Sequence, residues 1–258
     1  MSLLEKLSEV MGEEFERKCM YHMHSNLVDN EEMIPYLARC RKILAVSDYV
    51  KDHLYQTVPQ LQNTEIVKVT NGIRGWTYSK EERQSLREQM RDRYHVGEEE
   101  TIYLFAGRVS PEKGVLEMTR AFRAVLPRLR HKSRLFIVGS ASSGSDKESY
   151  YYRAVKKEAA QSPESIILTG YINHEDVAKY HVMADAQIVP SIMDDPAPLT
   201  VLEGMSMGNF LLLSKAGGIP EYSANYSNKI FFERGDSFEK ISGTRFFLMT
   251  RYKAPHTL

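Results

Sequence analysis

The sequence predicts an α/β fold, a parallel sheet with helices on both faces, and three observations predict it. Short apolar runs alternate with segments of helical apolar spacing up to residue 213. The connections are a few residues long, as expected when crossover helices join parallel strands. The residues just after each apolar run are polar or glycine, which suits the carboxyl edge of such a sheet, where ligands bind.

The elements follow in order. Leu3, Leu4, Leu7, Val10, Met11 and Phe15 lie at helical spacing over 3–16, and 18–24 shorten into a strand with the polar tip His22-Met23-His24-Ser25-Asn26. A helix is predicted over 31–42, a buried strand over 43–46, and a helix over 48–55 with Ser47 as its N-cap. A strand over 65–69 ends at the turn pair Asn71-Gly72, and a polar helix covers 80–94. The most regular part comes next: strand 102–106, then a helix over 114–129 striped by Val115, Met118, Phe122, Val125, Leu126 and Leu129. Strand 135–138, a Ser/Gly loop over 140–146, helix 147–160, strand 166–168, helix 174–183, strand 187–189, helix 199–207 and strand 210–213 continue the alternation. Residues 236–258 have neither period and receive no element.

With 258 residues, 42% apolar and 26% charged, the chain can bury a sizeable core. Basic and acidic side chains balance at 34 each, so nothing global points to nucleic acid, and electrostatic function must come from local clusters. Cys19 and Cys40, without paired metal spacing, read as reduced thiols of a cytosolic protein, a structural disulfide being the alternative. No apolar run is long enough for a membrane helix, and residues 1–10 lack the continuous apolar core of a signal peptide.

Two stretches carry chemistry. Gly107-Arg108-Val109-Ser110-Pro111-Glu112-Lys113-Gly114 sets two cations between a strand and a helix N-terminus, a place suited to a phosphate or pyrophosphate; the alternative is a pair of surface cations on a turn. Asp195 and Glu203, with seven residues between them, put one acid in a proline-stiffened loop and another on the first turns of a helix. If the loop folds back, both could face one pocket beside free N–H groups, fitting an anion that also carries hydroxyls. The alternative for Asp195 is a helix cap or a solvated side chain. Neither a P-loop nor a Gly-x-Gly-x-x-Gly fingerprint occurs.

Gly107-Arg108 with Lys113-Gly114, then Asp195 and Glu203, then Gly217-Gly218-Ile219-Pro220-Glu221, resemble the C-terminal domain of family 4 (group 1) retaining glycosyltransferases of the GT-B fold. Ala45-Val46-Ser47-Asp48 and Val69-Thr70-Asn71-Gly72-Ile73 are similar to that family's segments at the end of the first domain and the linker. The resemblance covers about 18–233. It implies a Rossmann-like nucleotide-sugar-binding domain over 71–235, a remnant of an acceptor-side domain over 1–70 and an irregular tail over 236–258. It also implies transfer of a sugar from a nucleotide sugar, a UDP-sugar in the first instance, to a glycan or lipid-linked acceptor in cell-surface polysaccharide synthesis, with retention of configuration. No cofactor is implied.

By the same resemblance Arg108 and Lys113 hold the pyrophosphate, Glu203 accepts from the ribose hydroxyls, Asp195 faces the transferred sugar and His24 stands by the donor sugar across a cleft. Gly107, Leu199 and Thr200 complete the donor-binding set, and Arg108, Lys113, His24 and Asp195 are the catalytic group. His24 can equally be a structural or exposed histidine, and His22 is read as its strand neighbour on the opposite face. Because Arg and Lys supply the positive charge, Asp194-Asp195 is not read as a metal pair.

Departures from the pattern are Asp where the family usually has Glu at 195, and Ala197-Pro198 where it often has Phe-Gly, which removes one backbone donor. Only about 17 residues precede the His24 strand, so the chain reads as a truncated member, active or reduced to a nucleotide-binding remnant or partner subunit. A sugar-nucleotide epimerase or a sugar phosphorylase is a third reading, the latter with Lys215 as the only lysine for a pyridoxal. The expected location is the cytoplasm or the inner face of the membrane, with a peripheral membrane or partner-subunit contact.

Overall fold

The computed structural model describes residues 3–26, 31–141 and 149–234. The predicted loop from 142 on, the start of the predicted helix at 147 and the tail at 236–258 lie outside the described residues. The elements are α1 (Leu3–Met11), α2 (Glu14–Lys18), β1 (Met20–Met23), α3 (Ile34–Ala38), β2 (Lys42–Ala45), α4 (Asp48–Thr57), β3 (Ile66–Lys68), α5 (Lys80–Arg93), β4 (Thr101–Ala106) and α6 (Val115–Val125). There follow β5 (Ser133–Val138), α7 (Tyr150–Ala159), β6 (Ile166–Gly170), α8 (His174–Met183), β7 (Ala186–Val189), α9 (Leu199–Ser206), β8 (Phe210–Ser214), α10 (Ile219–Tyr222) and β9 (Lys229–Phe232). Among the described residues no helix is long and apolar enough to cross a membrane.

These elements divide into two compact units. The first takes the described residues up to Gly72, with Asp194–Leu199 and Gly217–Ala224. Its sheet has order β1-β2-β3, all parallel, with Met23 opposite Ala45 and Ala45 opposite Lys68. Its core joins Phe15, Leu37, Ile43, Ala45, Val50, Leu54 and Leu61, and Ala197 packs against it. Ser47 caps α4 as expected, its hydroxyl accepting from Val50 N at 3.2 Å.

The second unit holds Ile73–Met193, Thr200–Ala216 and the described residues from Asn225 on. Its sheet is wholly parallel, in the order β6-β5-β4-β7-β8-β9. Successive side chains point to opposite faces of a strand, and both faces are covered here. Tyr103, Phe105, Leu135 and Ile137 meet Val115, Met118 and Phe122 of α6 and Val155 of α7. Ile102, Leu104, Phe136 and Val138 meet Met90 of α5 and Tyr180 and Met183 of α8. The α/β class is therefore as the sequence predicts.

Some boundaries differ. The helix expected over 3–16 breaks at Gly12 into α1 and α2. The helix expected over 31–42 is a 3-10 turn (Glu31–Met33) and the five-residue α3, and β2 begins at Lys42. The α6 helix stops at Val125, with a 3-10 turn around Pro127, because proline supplies no N–H to continue the ladder. The short α10 and strand β9 were not anticipated.

Candidate active site

The order of the larger sheet fixes where a ligand fits. From β4 the chain builds outward through β5 to β6, then returns to β7 on the other side of β4 and continues to β8 and β9. The order reverses between β4 and β7, so their carboxyl ends border the crevice that binds ligands in open α/β sheets. Gly107, Arg108 and Lys113 follow β4, and α9, with Thr200 and Glu203, follows β7.

Thr200 pins the first turn of α9 to both strands. Its hydroxyl donates to Ala106 O, the last residue of β4, at 3.1 Å. It accepts from Gln187 Nε2 of β7 at 2.8 Å, and the same nitrogen donates to Thr200 O at 2.9 Å. Thr200 therefore uses its hydroxyl to hold the frame, and its first-turn N–H is the group it can offer a ligand. The first turn of a helix is electropositive, so this end of α9 and the two cations present the same sign.

The loop after β4 is braced from both sides. Gly107 N donates to Val138 O at 3.0 Å and Val109 N to Ser140 O at 2.9 Å. Ile192 N and Met193 N both donate to Glu112 O, at 3.0 and 3.3 Å. Within the loop Arg108 pairs with Glu112 at 3.0 Å while remaining largely exposed. Burial would raise the Glu112 carboxyl, but the Ser110 hydroxyl, its own N–H, Arg108 and Lys113 together hold it below the usual carboxylate range. An ionised Glu112 steadies Arg108 at the surface, where an incoming anion can compete for it. Lys113 is half-buried at the end of the turn Pro111–Lys113.

Glu203 lies about one turn beyond Thr200, with its side chain only 15% exposed. Burial pushes its carboxyl up, and His174 draws it part of the way back. Oε1 is 3.9 Å from His174 Nδ1 and Oε2 is 3.9 Å from His181 Nε2. Trp76 lies against both imidazoles, with ring centroids 5.2 and 5.8 Å apart. The sequence reading missed this cluster, although His174 and His181 stand seven residues apart in α8 and so share a helix face.

The remaining predicted residues fall in the first unit. His24 follows β1 and is exposed. His22 does not point to the opposite face: positions two apart in a strand share a face, and the rings of His22 and His24 lie 4.2 Å apart. Asp195 is buried, and its main-chain oxygen accepts from Gly218 N at 2.7 Å. Asp194 uses its carboxylate to accept from Gly217 N at 2.8 Å. Leu199, the first residue of α9, is exposed.

The motif segments of this unit also meet. Both oxygens of Glu221 accept from the first turn of α4, from Asp48 N at 3.0 Å and Tyr49 N at 3.2 Å. Lys68 pairs with Glu221 at 3.1 Å and with Asp48. Lys215, in the second unit, is half exposed and ion-paired with Glu233.

A lipopolysaccharide 1,2-N-acetylglucosaminetransferase of Salmonella typhimurium is 29% identical over 210 residues, 80% of this chain and 51% of its own length. An uncharacterized glycosyltransferase of Methanocaldococcus jannaschii is 24% identical over 82% of this chain and 52% of its own. The chain thus spans about half the length of the curated relatives it matches. In fold it is similar to Anabaena HepE in complex with UDP and glucose (TM-score 0.70, 18% identity, 88% of this chain and 61% of that one). It is also similar to a glycosyltransferase from Rickettsia africae (TM-score 0.69, 17% identity, 95% and 70%). The family described as "Glycosyl transferases group 1" matches residues 52–244, three quarters of the sequence, and the chain belongs to that family.

Proposed function

We propose that the chain binds a nucleotide-sugar donor, a UDP-sugar in the first instance, and serves transfer of its sugar to a hydroxyl of a glycan or lipid-linked acceptor with retention of configuration and release of the nucleoside diphosphate, as family 4 enzymes do. The observation that carries this reading is the cation loop at the switch point: Arg108 and Lys113 follow the last residue of β4, and Thr200 ties the first turn of α9 to that residue. In this reading the diphosphate lies between the two cations and the N–H groups of Leu199 and Thr200, with Gly107 allowing its close approach. Glu203 takes the ribose hydroxyls.

Departure of the diphosphate is the difficult step, because negative charge grows on it as the glycosidic bond breaks. Fixed cations and helix N–H groups aimed at that charge lower the barrier without reorganising, and removing one costs about 2 to 4 kcal/mol in comparable sites. They make the charge balance independent of a metal ion. The setting that fits is cell-surface polysaccharide synthesis on the cytoplasmic side, at the inner face of a membrane or beside a partner subunit; the Salmonella relative's lipopolysaccharide role supports it.

Calorimetry with UDP and with GDP tests the reading. Binding should weaken at least tenfold in Arg108→Ala and in Lys113→Ala, as expected when a charged hydrogen bond is lost. Tight binding that neither substitution changes would overturn the assignment. Assays of donor hydrolysis and of transfer then separate an enzyme from a nucleotide binder without turnover.

A further inference from the structure

The buried histidine behind Glu203 has an orientation fixed by its surroundings. His181 is fully buried in α8, with Nδ1 3.1 Å from Asn209 Oδ1. Asn209 cannot turn its amide around, because Nδ2 already donates to His181 O at 2.9 Å and to Ala184 O at 3.3 Å. The Asn209 oxygen therefore faces the ring, and His181 must meet it with an Nδ1–H. In the neutral imidazole the other nitrogen then carries the lone pair. That Nε2 has no hydrogen-bond partner, and Glu203 Oε2 is 3.9 Å away. An ionised Glu203 would turn an acceptor toward a ring nitrogen that is itself an acceptor and is buried from water, whereas a protonated one supplies the missing donor.

We propose that His181 is a positioning residue for the donor: held in the Nδ1–H form by Asn209, it anchors the inner oxygen of Glu203 through Nε2 and leaves the outer oxygen to accept from a ribose hydroxyl. This rests on the reading of Glu203 as the ribose ligand. The proton is Glu203's own, on Oε2, and closing the gap by about 1 Å brings it to Nε2 at hydrogen-bond distance. Oε1 then points away from the core, on the side of His174, whose ring is largely exposed. Burial pushes the His181 imidazole down to about 4, which agrees with a neutral ring, and it pushes the Glu203 carboxyl up, the direction that favours the acid form, against the opposing pull of His174. Trp76, packed on both rings, keeps the pair in register.

The test compares the affinities of UDP and GDP with those of their 2′,3′-dideoxy counterparts in wild type, Glu203→Ala and His181→Phe, the last keeping a ring of similar size. In wild type the ribose form should bind roughly tenfold more tightly, the worth of a strong hydrogen bond. Both variants should bring that ratio close to one while binding the dideoxy form as before. A wild-type ratio in His181→Phe overturns the role of His181 alone; the same ratio in Glu203→Ala overturns the ribose assignment and the proposal with it. Failure of wild type to bind either nucleotide overturns the donor-site reading, and this one falls too. Because a core variant can fail to fold, nitrogen-15 NMR of the wild-type imidazoles gives a second reading. His181 should show a protonated Nδ1 and a bare Nε2 that shifts when UDP is added; a protonated Nε2 overturns the proposal.

Discussion

The side-chain oxygen of Gln187 stands where residue 204 would carry a Cβ: Oε1 is 1.8 Å from that point and Leu211 Cδ2 is 2.8 Å from it. Glycine at 204 is what lets α9 settle onto β7, and Gln187 cannot withdraw because its amide nitrogen is held by Thr200. Gly204→Ala should therefore destabilise the fold by about 1 to 3 kcal/mol, the usual cost of overpacking a core. Urea denaturation measures it. The loss should shrink in a Gln187→Ala background, since two groups in contact are not additive.

Tyr222 provides a second test, in the first unit. Its hydroxyl donates to Val46 O at 2.7 Å and accepts from Asn71 N at 3.0 Å, joining two segments that are distant in sequence. Tyr222→Phe leaves a buried carbonyl and an N–H without that partner and should cost about 1 to 3 kcal/mol. A midpoint of denaturation unchanged from wild type would show that the hydroxyl does not hold them.

Stability should depend on pH through Glu100. Burial alone would raise its carboxyl, but Arg134 at 2.7 and 3.2 Å, Gly97 N–H at 3.1 Å and Lys132 at 3.3 Å hold it below the carboxylate range. A carboxyl depressed in the folded state stabilises the fold above its unfolded pKa of about 4.3, and that contribution is lost as pH falls through the folded value. Glu100→Gln should then be less stable than wild type near neutrality, with the difference narrowing on acidification below about pH 4. Denaturation curves at several pH values report the difference, and a constant gap would contradict the linkage.

The two cysteines should react unequally. Cys40 is buried, with its thiol 3.7 Å from that of Cys19, and burial followed by Cys19 pushes it up to about 12. Cys19 is only half-buried. Since the thiolate is the reactive form, iodoacetamide should label Cys19 first and Cys40 only when the unit unfolds, as peptide mass mapping would show. Equal labelling of both in the native protein would speak against this packing.

The strands β4 to β8 of the larger sheet were legible because each is a short apolar run with nothing else to be, and α6 because its stripe repeats over three turns. Short pieces were not: α3 keeps only five residues of the longer helix expected around it, α10 is a four-residue turn of helix, and β9, with the sequence Lys-Ile-Phe-Phe, has no alternation to read. Arg108, Lys113 and Asp195 could be named from their places in loops after strands, and Glu203 from its place on the first turns of α9. Their supports could not, because Thr200 with Ala106, Gln187 with Gly204, and His181 with Asn209 meet only after folding. Periodicity shows which face of an element is buried, but not which polar partner it meets there. The reading of His22 failed for a simpler reason, since the strand period already places it beside His24.

Gly139, at the end of β5, lies so close to the neighbouring loop that a Cβ there would be 1.9 Å from Gly107 O. Its φ of +139° is also one that side-chain-bearing residues rarely adopt. Gly107, with φ of +149°, is held in a similar backbone conformation, so a library that varies the loop after β4 should leave both positions as glycine. Diversity is better placed at exposed Ile192 and Met193, whose side chains can change while their backbone contacts to Glu112 keep the loop in place.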